Sequence, residues 1–286
     1  MAELPPVGEF DRREFERRLD GLVERNRFTI AIIFPLVGAV LLLASAQDLL
    51  PPALAFHPYL VLAGVVVMRL PLVAGLLPLV GRRGALALLA LTGYAYGIEF
   101  VGATTGLPYG EFTYEIPLGP MVLDTIPLGL PVFFVPLVLN SYLLCLLLLG
   151  ERARAAAVRI PVVVAAVVAV DLVLDPAAVA LGFWSYETGA YYGVPWLNYA
   201  GWVLSATVAT LLVDVAFDRQ ALIARVRSCP FMLDDLVSFV LLWGAINVFY
   251  RAWIPVAVAL LFAGGLVRLD RFDFAVWRGI PGRLAE

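Results

Sequence analysis

Five ionisable side chains lie inside runs of sequence that are otherwise apolar enough to be buried in a membrane: Arg69, Glu99, Asp171, Asp175 and, near one rim, Asp214. Charged groups in hydrocarbon are costly and mark function by default. At the rise of a helix, Asp171 sits about 16 Å along its run, near the midplane, while Asp175 and Glu99 sit at about 22 Å, in the outer third. Arg69, counted from the opposite face, also falls near the midplane. Depth therefore predicts an Arg69–Asp171 ion pair and leaves Glu99 facing Asp175 without a nearby cation. Asp171 and Asp175 are four apart and project to one side of a helix. Pro176 disfavours helical geometry at Asp175 and can open the helix there. Two carboxyls in a low-dielectric site cannot both ionise cheaply, and one that keeps its proton there is a general acid.

Both acids belong to stretches that leave an apolar run through loops rich in Gly, Pro and Tyr, Gly93 to Pro120 and Asp171 to Trp202, which hold eight of the eleven tyrosines. The loops add Glu111, Glu115, Asp124 and Glu187 but no arginine. Their aromatic residues, among them Tyr96, Tyr109, Tyr114, Trp184, Tyr186, Tyr191, Tyr192 and Trp196, have two readings. An interfacial belt is one, but a belt is spread over all loops. Concentration on two loops favours a pocket whose ring faces suit an apolar polyene or a carbocation. A structural polar network with Asn140, Asn198 and Asn247 is the competing account of the buried charges. We prefer it for Arg69, Asp171 and Asp214, and prefer chemistry for Glu99 and Asp175, where the aromatic residues gather.

The elements that must position these groups follow from composition. The chain has 286 residues, 62% of them hydrophobic, with a mean hydropathy of +0.91, far above soluble proteins. Runs of spanning length cover 28–50, 58–80, 85–103, 127–149, 160–183 and 196–217. The last apolar region, 233–267, is too long for one span, and Arg251 with Pro255 divides it in two. The expected fold is therefore an all-α polytopic transmembrane bundle of about eight spans, with seven as the alternative. Eight spans place eighteen of the twenty arginines, and both termini, on the cytoplasmic side. Seven would put the arginine-rich C-terminus outside. The expected organisation is a charged cytoplasmic segment 1–27, one transmembrane domain 28–267 and a cytoplasmic tail 268–286. The charge-dense first 27 residues lack the core of a cleavable signal, so the first span serves as targeting signal to the cell membrane.

What is missing narrows the chemistry. One histidine, His57, cannot supply a histidine-box iron centre. The chain has no lysine, which excludes a retinal Schiff base and a P-loop lysine. Cys145 and Cys229 show neither metal spacing nor a disulfide framework.

Five segments carry a resemblance: EFVGATTGLPYGEFTY (99–114), PLGLPVFFVPLVLN (127–140), DLVLDPAAVALGFWSY (171–186), YYGVPWLNYAGW (191–202) and CPFMLDDLVSFVLLWGAINVFY (229–250). Through them the chain resembles the carotenoid biosynthesis membrane family that contains the carotenoid hydratases, most closely its haloarchaeal branch, from about Arg25 to Phe274. The resemblance implies addition of water to a terminal C=C bond of a long acyclic carotenoid, giving a tertiary alcohol with no cofactor and no metal. Glu99 or Asp175, with Asp171 beside it, would protonate the alkene. Tyrosine and tryptophan faces with a carboxylate would stabilise the cation, and Glu111 or Glu187 would orient or deprotonate the water. The substrate contacts expected are Tyr96, Tyr109, Tyr114, Trp184, Tyr186, Tyr191, Tyr192, Trp196, Asn140 and Asn198. The partners implied are the carotenoid, water, the lipid bilayer and other membrane enzymes of the pathway; no nucleic acid is expected. A carotenoid cyclase, an intramembrane prenyltransferase, for which DLVLD is half of an Asp-rich site, and a carotenoid-binding or transport protein are the alternatives.

Overall fold

A computed structural model describes residues 11–272; the first ten residues of the lead-in and residues 273–286 of the tail, including Arg278 and Arg283, lie outside them. Backbone in hydrocarbon must satisfy its own N–H and C=O groups, so the apolar runs become helices. Asp11 caps α1 (Arg12–Phe28), its carboxylate accepting from the N–H groups of Arg13 and Glu14. α1 continues through a π turn (Thr29–Ile33) into α2 (Phe34–Ala46). Pro35 has no N–H and crowds the carbonyl four residues back, a conflict the wider turn relieves. The charged segment from Arg12 and the first apolar run are thus continuous helix.

α3 (Pro58–Leu76), α4 (Arg82–Thr105), α5 (Leu130–Leu149), α6 (Ala156–Leu181) and α7 (Trp196–Ala216) follow the expected runs within a few residues. α4 and α6 stop where Gly106 (φ 72°) and Gly182 (φ 81°) adopt the left-handed conformation that glycine takes without penalty. After the short polar α8 (Arg219–Ser228), the last apolar region forms α9 (Asp234–Phe249) and α10 (Trp253–Arg268). The break falls at Arg251 (φ 58°), while Pro255 sits harmlessly in the first turn of α10. Among the described residues, six helical stretches are long and apolar enough to cross a membrane. α9 and α10, at 16 residues each, are about 24 Å long.

α6 is the hub, packed on α5, α7, α9 and α10, and α9 packs in turn on α2 and α3. Leucine and valine remain exposed along the outer flanks, as on Val40, Leu89, Val215 and Leu261, the surface expected of a protein solvated by lipid. α6 runs unbroken through Pro176, so the expected opening at Asp175 does not occur. The proline frees the carbonyl of Leu172, and the Tyr191 hydroxyl donates to it at 3.3 Å. Similarly, Pro136 in α5 frees the carbonyl of Val132, which accepts from Arg69 Nε at 3.1 Å.

Two short ladders supplement the helices. β1 (Phe112–Tyr114) pairs antiparallel with β4 (Trp184–Tyr186), in the register Phe112↔Tyr186 and Tyr114↔Trp184, tying the two motif loops together. β2 (Met121–Val122) pairs with β3 (Ile126–Pro127) inside the first loop.

Candidate active site

The β1–β4 ladder roofs a cavity of about 170 Å³ walled by α3, α4, α5, α6, α7 and α9. Room for one water requires only about 10–15 Å³ on this measure, so the space holds a substantial ligand group. The wall is largely aromatic and aliphatic, with Phe112, Phe134, Phe183, Trp184, Trp202 and Trp243 prominent. Two carboxyl groups face it, Glu99 from α4 and Asp175 from α6.

Strand alternation explains how the roof meets the acids. Residues two apart in a strand share a face, so Phe112 and Tyr114 point with Trp184 and Tyr186 into the cavity, while Thr113 and Ser185 turn away. The Tyr114 hydroxyl donates to Glu99 Oε1, and the Tyr186 hydroxyl donates to Asp175 Oδ2 at 3.4 Å. Burial first, and the neighbouring acids second, push both phenols far above their ordinary pKa. They remain donors at any physiological pH. From α7, the Asn198 amide donates both to Asp175 Oδ2 and, at 3.1 Å, to Asp171 Oδ2.

Asp171 stands behind Asp175, fully buried and off the cavity wall, with Oδ1 lacking a partner among the described residues. Its expected pairing with Arg69 is corrected. Arg69 instead bonds Asp235 in the first turn of α9, and Asn140 donates to the same carboxylate at 2.8 Å. The reason is positional, because α9 begins inside the bundle at the depth of Arg69, and the carbonyl freed by Pro136 holds the guanidinium toward α5. Asn140 therefore belongs to this ionic cluster and not to the cavity. Asp214 likewise pairs with Arg159, with two bonds of 2.7 Å, and accepts from Tyr142.

Other expected residues lie elsewhere. Glu111 and Glu187 are exposed on the two motif loops and do not line the cavity. Tyr96 is off the wall, its hydroxyl donating to the Leu128 carbonyl at 2.7 Å. Tyr191, Tyr192 and Trp196 gather with Tyr199 in a separate cluster, with ring centroids 4.9 Å (Tyr191–Tyr192) and 5.8 Å (Tyr191–Trp196) apart. Trp196 is 62% exposed. These rings pack away from the cavity, with Tyr191 and Tyr199 buried in a small core of their own. Tyr109, Tyr114, Trp184, Tyr186 and Asn198 do line the cavity.

The sequence reading passed over Phe134, Trp202 and Trp243, which complete the aromatic wall, and Asp234 and Asp235. The signal for the aspartates was present, since an acidic pair opening an apolar helix demands partners. Asp234 finds Arg27 of α1, with bonds of 2.7 and 2.9 Å.

Fold and site together define a polytopic helical membrane protein that holds two acids against an apolar, aromatic chamber. The chain belongs to the family described as carotenoid biosynthesis protein, whose match covers residues 56–266. It is 63% identical over 270 residues to the bisanhydrobacterioruberin hydratase of Haloarcula japonica, an alignment covering 91% of this chain and 92% of the relative. No solved structure matches it.

Proposed function

We propose that this protein is a carotenoid hydratase, a hydro-lyase that adds water to terminal C=C bonds of a long acyclic carotenoid of the bisanhydrobacterioruberin type. The observation that carries the reading is Glu99 and Asp175 facing one aromatic-walled cavity with no cationic residue on its wall among the described residues, in a chain 63% identical to a protein of that name. The terminal isoprenoid group enters the cavity while the polyene extends between the helices. Glu99, held by one tyrosine, gives its proton to the less substituted alkene carbon, and the π electrons form the new C–H bond. The tertiary cation left behind is stabilised by the ring faces around it. Water forms the C–O bond and loses its extra proton to Asp175. Asn198 and Tyr186 both donate to Asp175 Oδ2 and so fix the position of the carboxyl that takes this proton. One proton enters the product, and the one taken by Asp175 passes to Glu99 before the next turnover, so both acids are restored and water is the only net reactant. Glu111 and Glu187, exposed on the loops that carry the ladder, orient the incoming water.

The same reading places eight helical crossings in a cell membrane, with both termini on the arginine-rich cytoplasmic side and the ladders on the outer face. The test is expression in a host supplied with the acyclic precursor in oxygen-18 water. Mass spectrometry should show labelled product heavier by one water per modified end. An isomer of unchanged mass would indicate a cyclase. Unaltered pigment that co-purifies with the protein would indicate a binding protein.

A further inference from the structure

The ring of Tyr109 closes the gap between α4 and α7 as a panel, and we propose that this panel sets the width of the cavity, admitting a slender acyclic carotenoid end and excluding a cyclic one. The proposal rests on the hydratase reading only for the kind of molecule that enters. Tyr109 is carried by the loop between Gly106 and Gly110 and lines the cavity, yet it is only 5% exposed. A Cβ at Gly102 of α4 would lie 2.9 Å from Tyr109 Cδ2, and one at Gly201 of α7 would lie 2.6 Å from Cδ1. Cδ1 and Cδ2 are opposite edges of the ring. The phenol thus spans the two helices edge to edge and turns one face to the cavity.

The panel has little freedom to retreat. A Cβ at Gly201 would also meet the Pro108 carbonyl oxygen at 2.8 Å, so the loop backbone rests on α7 as well. The hydroxyl is pinned to Ser205 Oγ at 2.6 Å, and Ser205 in turn bonds the Tyr94 hydroxyl at 3.0 Å. Trp202 packs beside the ring, centroids 6.3 Å apart, and Phe134 stacks on Trp202 at 5.4 Å. Close-packed interiors transmit such constraints rather than absorb them. Cyclising an isoprenoid end broadens it by several ring carbons, and each methylene misfit in a tight apolar pocket is worth roughly 10–200-fold.

The test loads the purified full chain in detergent with equal amounts of lycopene and β-carotene, isomers that differ in having open or ringed ends, and measures the pigment retained. Wild type should prefer lycopene by about tenfold or more. Tyr109→Phe, which keeps the ring, should keep the preference. Tyr109→Ala should bring the ratio close to one through a gain in β-carotene. If Tyr109→Ala fails to accumulate, Tyr109→Leu carries the same expectation. Gly201→Ala should force the ring inward and reduce retention of both pigments. Equal retention by wild type, or an unchanged preference in the variant lacking the ring, would overturn the proposal. A preference of this kind in a wild-type protein that yields no oxygen-18 product would sink the hydratase reading and leave the panel standing.

Discussion

The bundle holds two kinds of buried acid. One kind has an arginine: Asp234 with Arg27, Asp235 with Arg69 and Asp214 with Arg159. Beneath the β1–β4 ladder, Glu99, Asp171 and Asp175 have tyrosine and asparagine donors but, among the described residues, no arginine. An ion pair in low dielectric is locked, because releasing either partner strands a charge. An acid held only by neutral donors can change its proton state without that penalty. The difference separates groups that fasten helices from groups able to do chemistry, and it is drawn by partner type rather than by burial.

The sharpest way to break this comparison is Glu99→Gln. Losing the proton donor should lower hydration by roughly 10²–10⁴-fold at an unchanged membrane level, as read by product formation per unit of protein. Asp175→Asn should do the same. Arg69→Gln should act on the other property, destabilising the fold by about 3–5 kcal/mol by leaving Asp235 buried without its partner. Thermal unfolding in detergent measures this, and Arg69→Met combined with Asp235→Leu should recover much of the loss. A smaller effect is expected from Tyr114→Phe, which removes one hydrogen bond to Glu99. It should cost about tenfold in rate, near 1.4 kcal/mol, with stability little changed.

A weaker distinction lies in pH. Tyr114 and Tyr186 have raised pKa values in the fold, so above about pH 10 only the unfolded chain gains by ionising them. Their contribution to stability is complete below that pH and declines above it. Tyrosinate absorbance of the folded protein should show both phenols silent there. Least of all should come from Trp196→Leu, an exposed ring away from the cavity, within about 0.5 kcal/mol of wild type and with normal product. A large loss of product there would move the site boundary to include the Tyr191–Trp196 cluster.

Local sequence made much of this visible. Spanning runs announce themselves because a bilayer demands about 20 apolar residues in succession, and Arg251 marked the division of α9 from α10. Glu99 and Asp175 stood out because charge is rare in such runs. Arg69 was equally visible, but its partner was not. Depth along a helix gives height without direction, and nothing near Arg69 says that α9 starts at the same level on the neighbouring side. The aromatic residues show the same limit. Tyr186 and Tyr191 lie five positions apart in one loop, yet the first enters the cavity through the β4 pairing and the second turns to the carbonyl that Pro176 frees.

Sequence alone thus determined the membrane helices, their approximate ends and the acids worth attention, since hydropathy and charge are properties of each residue in its own run. Tertiary structure alone decided which arginine meets which acid, which tyrosines roof the cavity and how Tyr109 spans α4 and α7. Those outcomes depend on lateral neighbours brought together from distant segments, such as the β1 and β4 strands some seventy residues apart. In a low-dielectric interior the neighbour fixes whether a charge is locked or free to exchange its proton.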